Sequence, residues 1–337
     1  MRPDASENSQ ISSSTIVRAA RGAGSHPHLA SVLQQDQKSA NIRVSLGVIR
    51  GIPFMRSNIY DALRLMRGPR QWVLEHPMLR RRATGLLYGD RDTPIDLFGT
   101  KLVVNTVEEN GYYRLSRYLS RYKSLTLAQE AVVITQLALL MEDRDTFIDV
   151  GANVGLYACT IARRLKLCPG SNWVYAFEPN PATFLRLTQS CQPVKVSCHQ
   201  IALSDQDGML EFVAGGASNT FTTTANATAQ HMLHKRTSIP SARLDQIPLA
   251  GERFVIKIDV EGQEHLVLKG AEGLFEAGRV KAVYVDGYAD ATAVEGFLSK
   301  HGFRLLDAIT LDEISGGHFN LLALKREAHQ IGNGTRP

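Results

Sequence analysis

Five acids and one lysine stand where apolar runs end. The run Thr146-Phe147-Ile148-Asp149-Val150 carries Asp149 at its close and is followed by Gly151 and Gly155, which bracket Ala152, Asn153 and Val154. A second run, Trp173 to Phe177, ends on Glu178. A third, FVIKIDV over residues 254–260, carries Lys257 and Asp259 and leads into Glu261, Gly262 and Glu264. A backbone that passes close under a ligand cannot carry Cβ atoms, which suits the glycines. The free N–H groups that open a following helix favour electron-rich groups. An acid at the end of the next strand, roughly 20 or more residues on, can take both hydroxyls of a ribose. Asp149 and Glu178 fit that spacing, so the unit reads as a nucleoside site.

The type of nucleoside follows from what the turn lacks. A dinucleotide site needs Gly-x-Gly-x-x-Gly, and Asn153 stands where another glycine would be. Asp149 before the first glycine would repel a pyrophosphate. It suits a ligand with a positive amino-acid end, as in S-adenosylmethionine, whose ribose Glu178 would hold. The competing reading is an ordinary βαβ unit with a glycine turn and no ligand.

Four blocks in order, FIDVGANVGLYA, YAFEPNPATFLRL, ALSDQDG and VIKIDVEGQEHLVLKGA, span residues 147–271 and resemble the FkbM-type methyltransferases. The resemblance covers roughly the C-terminal two-thirds of the chain. It implies an α/β, Rossmann-like class I methyltransferase fold: a seven-stranded, mostly parallel sheet with helices on both faces, here preceded by a helical N-terminal extension. It implies S-adenosylmethionine as cofactor, with Asp149, Gly151, Asn153, Gly155, Glu178, Ser204, Asp205 and Asp259 as its binding set. In that family the acid at Asp205 lies near the adenine amino group, whose hydrogen bond a carboxylate can accept; a plain turn aspartate is the alternative. Glu130 lies where the family commonly has an acid, and its role stays open. Asp286-Gly287 departs from the family pattern and receives no role.

Methyl transfer to a hydroxyl needs alignment, exclusion of water and a base for the proton. Glu261 is the first choice of base, followed by Asp259, Glu264 and His318. The alternative for Lys257 and Glu261 is a mutual salt bridge that only orders the loop. The resemblance implies O-methylation, often of sugars or polyketide-like hydroxyls, so the expected partner is a small-molecule or glycan acceptor. An N-methyltransferase of the same fold and a non-catalytic cofactor-binding module are the competing functions.

Composition narrows the class. Of 337 residues 44% are hydrophobic, enough for a sizeable core, and the net charge is +5. No nucleic-acid motif accompanies that charge, so no nucleic-acid partner is expected. The basic segment 64–82 reads as a solvated helix face in preference to a membrane-docking surface. The four cysteines form no C-x-x-C pair, and Cys159 and Cys198 read as small core residues in a reduced, cytoplasmic setting. No apolar run reaches the length of a membrane span, and the N-terminus lacks the apolar core of a signal peptide. His231 and His234 lie three apart without a third ligand, so no metal is expected.

The positioning elements follow. Residues 1–40 read as a mobile tail, 41–123 as a helical and hairpin extension, 124–327 as the methyltransferase domain and 328–337 as a frayed tail. Within the extension, residues 58–88 read as helices broken at Pro69 and Pro77, Pro94 to Val104 as a hairpin around Gly99, and the stretch with Tyr112, Tyr113, Tyr118 and Tyr122 as a single amphipathic helix packed on the core, in preference to an aromatic-basic surface that stacks on a sugar or base. A helix over 126–141 capped at Thr126 is expected next. Then come a helix over 156–167 stopped by Pro169-Gly170, a helix opened by Pro181, a third strand over 194–203, a strand at MLEFV, a polar loop over 214–240, one helix after Gly262, a strand over 280–285, a helix over 290–300 and two closing strands.

Overall fold

The computed structural model describes residues 77–117, 121–166, 171–214, 221–223, 236–314, 316 and 320–326. The expected tails, the breaks at Pro69 and Pro169-Gly170, the side chain of Thr126, Tyr118, Cys168, the His231–His234 pair and the candidate base His318 lie outside the described residues or side chains.

Seven strands make the central sheet: β3 (Thr146–Val150), β4 (Trp173–Phe177), β5 (Ser197–His199), β10 (Phe254–Ile258), β11 (Val280–Asp286), β12 (Phe303–Asp307) and β13 (Asn320–Lys325). Their order is β12-β13-β11-β10-β3-β4-β5, and β13 alone runs against its neighbours. This is the seven-stranded, mostly parallel sheet that the resemblance implies. β3 and β10 are buried along their whole length, as parallel strands covered on both faces must be. Alternate side chains serve the two faces. Phe147, Val255 and Tyr284 join Val133 and Leu137 of α3 (Arg121–Leu140), Ile161 of α4 (Leu156–Leu165) and Leu187 of α5 (Pro181–Cys191) in one core. Ile148, Ile256 and Val283 face Leu268 of α6 (Glu264–Lys269), Phe275 of α7 (Glu272–Glu276) and Leu298 of α8 (Ala291–Lys300) in the other.

Among the described residues, the extension has no core of its own. After α1 (Pro77–Tyr88), the hairpin β1 (Asp92–Leu97) and β2 (Thr100–Asn105) sends Ile95, Leu97, Leu102 and Val104 into the core that holds α4 and α5. A buried charge fixes the docking. Arg186 on α5 donates to Glu109 Oε1 at 2.7 Å and lies 3.6 Å from Asp92 Oδ1, and Val103 N donates to Ser190 Oγ at 2.8 Å. The expected boundary at 123/124 therefore cuts through continuous packing.

The structure corrects several boundaries. The single tyrosine-rich helix is two, α2 (Asn110–Arg117) and α3, and α3 begins at Arg121, so Thr126 lies inside it. The expected third strand splits. Its first part is β5, and its end is β6 (Ala202–Leu203), which joins a separate sheet of order β6-β9-β7-β8 with β7 (Gly208–Ala214), β8 (Phe221–Thr223) and β9 (Arg236–Ala242). The polar stretch 214–240 thus contains strand residues. In β9, Ile239 and Ser241 point inward on alternate positions, a pattern hidden by its polar composition. The helix after Gly262 breaks at Gly270, where an added Cβ would stand 1.9 Å from Ser204 O, so the backbone passing there requires glycine between α6 and α7.

Candidate active site

The loop from β3 to α4 is organised by carboxylates that its own backbone satisfies. Asp149 is closed to solvent. Its Oδ2 accepts from Ala158 N at 3.0 Å, and its Oδ1 lies 3.3 Å from Lys257 Nζ. Burial pushes the Asp149 carboxyl up, and Lys257 opposes that shift. Gly151 has φ +72°, and a Cβ there would lie 1.9 Å from Asp259 O. The glycine is thus required by the neighbouring chain itself, before any ligand is considered. Asn153 takes a left-handed φ of +50°, which Asn tolerates better than most residues. Gly155, at φ +91°, lets α4 approach Leu187, which would stand 2.8 Å from a Cβ.

Glu178 leaves the end of β4 and faces this loop. Its Oε2 accepts from Asn153 N at 2.9 Å and its Oε1 from Asn180 N at 2.8 Å. Burial dominates over those two hydrogen bonds and lifts its carboxyl to about 7. Asn153 Oδ1 is buried with no hydrogen-bond partner. An orphaned amide oxygen and a buried carboxylate beside a Cβ-free turn fit the ribose and amino-acid end of S-adenosylmethionine. Farther along, Asp205 binds Lys269 Nζ at 2.8 Å, which holds its carboxyl below the usual range, and Ser204 beside it is buried.

At the end of β10, Lys257 is the hub. Its ammonium donates to Gly151 O at 2.9 Å, lies 3.3 Å from both Asp149 Oδ1 and Asp259 Oδ2, and stands 5.3 Å from the Tyr157 ring centre. Burial alone would depress this ammonium, but Asp259 and Asp149 more than offset it and hold the group charged. Glu261 does not join the hub. It is exposed, at φ +51°, and among the described ion pairs of Lys257 its carboxylate is not a partner. Glu264 is buried, with Oε1 accepting from Gly262 N at 2.7 Å, so it closes the same turn.

A second group of residues received no role from the sequence. Glu130 on α3, Tyr157 on α4, Tyr284 and Asp286 on β11 and Asn320 on β13 line a cavity of about 210 Å³. Tyr157 donates to Glu130 Oε2 at 2.5 Å, Tyr284 donates to Asn320 Oδ1 at 3.0 Å, and the two tyrosine rings stack 6.2 Å apart. Burial first, then the charge of Asp259, lifts the Asp286 carboxyl to about 6. Tyr112 on α2 comes within range of the same charges; burial and then Glu130 push its hydroxyl up, so it stays protonated. The available signal was position: Asp286 ends a parallel strand as Asp149 and Asp259 do, where open α/β sheets bind ligands. Among the described residues no group of His, Cys, Asp and Glu is arranged to hold a metal ion, and no helix is long and apolar enough to cross a membrane.

Comparison with known proteins places this geometry. Residues 149–305 match the family described as Methyltransferase FkbM domain. The chain is 28% identical over 222 residues to the hexuronic acid methyltransferase AglP of Haloferax volcanii, an alignment covering 64% of this chain and 83% of that protein. Among solved structures, the plantazolicin methyltransferase BpumL in complex with SAH aligns at 8% identity and TM-score 0.36, covering 76% of this chain and 99% of that one. A TehB-like SAM-dependent methyltransferase from Corynebacterium glutamicum aligns at 14% identity and TM-score 0.33, covering 63% and 98%. At those scores neither structure carries a residue role across. The four sequence blocks, the strand order and the family match agree: residues 149–305 form a methyltransferase domain of the FkbM type, and the chain is an S-adenosylmethionine-dependent methyltransferase.

Proposed function

We propose that this enzyme methylates a hydroxyl of a sugar, glycan or related secondary metabolite, with Glu178 and the Gly151–Gly155 loop holding the cofactor. The observation that carries the reading is the polar cavity of Glu130, Tyr157, Asp286 and Asn320 beside the carboxyl ends of β10 and β11. A polyol offers many hydroxyls, and carboxylate, amide and phenol groups are the side chains that exchange hydrogen bonds with them. The AglP relative, named for a hexuronic acid, supports a carbohydrate acceptor.

S-adenosylmethionine supplies an activated methyl, so this chain's own residues contribute binding, alignment and exclusion of water. Glu178 accepts from the ribose hydroxyls. Asp149 acts through Lys257 and Ala158 N to set the loop, and Asp259, whose side chain is 40% exposed, is the acid of the hub open to the ligand side. Asp205 is assigned to the adenine end, with Ser204 fixing the backbone beside it. The free thiols of Cys159, Cys191 and Cys198 agree with a reducing cytoplasmic setting. The test is calorimetry with S-adenosylmethionine, followed by radiolabelled methyl transfer to a panel of glycosides. Failure of the folded wild type to bind the cofactor, or cofactor binding with no transfer to any glycoside, would defeat the proposal.

A further inference from the structure

The acceptor cavity carries a sign of charge as well as a shape. Its described lining includes two carboxylates, Glu130 and Asp286, and no cation. The nearest ammonium, Lys257, is 97% buried and already shared among Gly151 O, Asp149 and Asp259. The other described polar groups lining the cavity include the Tyr157 and Tyr284 hydroxyls and Asn320. Tyr157 donates to Glu130, and Tyr284 donates to Asn320 while also lying within hydrogen-bonding reach of Asp286. These bonds fix the orientation of the Glu130 carboxylate and the Asn320 amide, leaving Asp286 as the carboxylate at the strand end next to Asp259.

We infer that Asp286 is the residue that takes the proton from the acceptor, and that the acceptor presented to it is a neutral polyol and not a uronate. The inference rests on the O-methylation reading above and names the base and substrate class for it. In the transfer, the acceptor O–H bond breaks and its proton passes to a carboxylate oxygen of Asp286. The oxygen electron pair forms the new O–CH3 bond as the methyl–sulfur bond breaks, and that pair stays on sulfur as a neutral thioether. A uronate would bring its negative charge into a half-buried site beside ionised Asp286 and the Glu130 carboxyl, with no free cation among the described lining residues, and like charges in such a site repel. Glu261, the first choice from sequence, is exposed and outside the cavity lining.

The groups facing Asp286 are Asp259 just after β10, Lys257 in β10, Glu130 from α3 and Tyr284 on its own strand. Ionised Asp286 is the active form, so turnover rises with pH through about 6.

The test pairs neutral methyl hexosides with the matching methyl hexuronides, using tritiated S-adenosylmethionine. Transfer to the neutral member at ten-fold or more over the uronide is expected. Asp286→Asn should lower kcat by about 10²–10⁴-fold with cofactor affinity unchanged and the rising pH limb lost, and Asp286→Glu should recover part of the rate. Calorimetric cofactor binding certifies that each variant is folded. If Asp286→Asn does not fold, the wild-type comparison and the pH limb decide alone. Preference for the uronide, kcat of Asp286→Asn within about three-fold of wild type, or a flat wild-type profile between pH 5 and 8 would overturn the inference while leaving O-methylation standing. Cofactor binding with no transfer to either member would instead defeat the carbohydrate reading itself.

Discussion

Replacing Lys257 with methionine tests the hub directly. The ammonium has three oxygen partners within 3.3 Å and is almost wholly buried, as is Asp149. Methionine preserves the stem and removes the charge, leaving Asp149 with the Ala158 amide as its one remaining described partner. Breaking a buried ion pair from one side costs about 3–5 kcal/mol, because the remaining charge is desolvated and unpaired. Asp259 adds little, since its side chain is 40% exposed and water can take it. At roughly 2–4 °C per kcal/mol for a unit of this size, melting should fall by about 6–20 °C. The sign of the pH dependence follows. Asp149 already has a raised carboxyl pKa, and losing Lys257 raises it further. The folded variant then binds a proton more tightly than the unfolded chain, so its deficit is small near pH 4 and grows as pH rises. Scanning calorimetry from pH 5 to 8 measures this. Adding Asp149→Leu should recover part of the loss, since a well-packed apolar pair can replace a buried ion pair. Glu261→Gln, outside the hub, should stay within about 0.5 kcal/mol of wild type. A Lys257→Met protein within 1 kcal/mol of wild type, or Glu261→Gln destabilised as much, would refute the reasoning.

Glu178→Ala should weaken S-adenosylmethionine binding by about 1–3 kcal/mol in isothermal calorimetry, the cost of unpaired buried polar groups. With the Glu178 carboxyl near 7 in the unliganded protein, its contribution to stability is present at low pH and lost as pH rises through 7. The wild-type melting temperature should therefore slope downward from pH 5 to 8, less so in Glu178→Gln, and cofactor binding near pH 7 should release protons, seen as heat that varies with the buffer. Gly151→Val should prevent folding as well as binding, since even an alanine Cβ would meet Asp259 O at 1.9 Å; circular dichroism and expression of soluble protein check it.

The grouping of the residues proposed to hold the cofactor was legible because its logic is local. Asp149, Gly151, Asn153 and Gly155 lie within one turn, and Glu178 follows one helix and one strand later, so spacing alone ties them together. Lys257 in an apolar strand also announced that it needed an acid, but the choice of partner was not local. β3 lies beside β10 and places Asp149 opposite Lys257, and the turn sends Glu261 outward. The cavity proposed for the acceptor was largely hidden because its residues come from four elements between Glu130 and Asn320, joined only by the sheet order. Asp286 looked like a departure from a pattern until Tyr284, two residues earlier on the same strand, appeared in the same cavity. The second sheet was obscured by composition: β9 reads RTSIPSA, and its inward Ile239 and Ser241 are too few to announce a strand.

The Arg186 anchor bears on how the molecule comes apart. A guanidinium buried between α5 and the Asp92–Glu109 segment would become a stranded charge if the hairpin lifted away, so partial detachment carries nearly the full electrostatic cost at its first step. The apolar side chains of the hairpin would be exposed in the same event. The described hairpin and the layer that forms the β3–α4 loop are therefore tied into one cooperative transition, with a single heat-absorption peak. A chain cut at residue 124 would lose the fold, not merely an accessory.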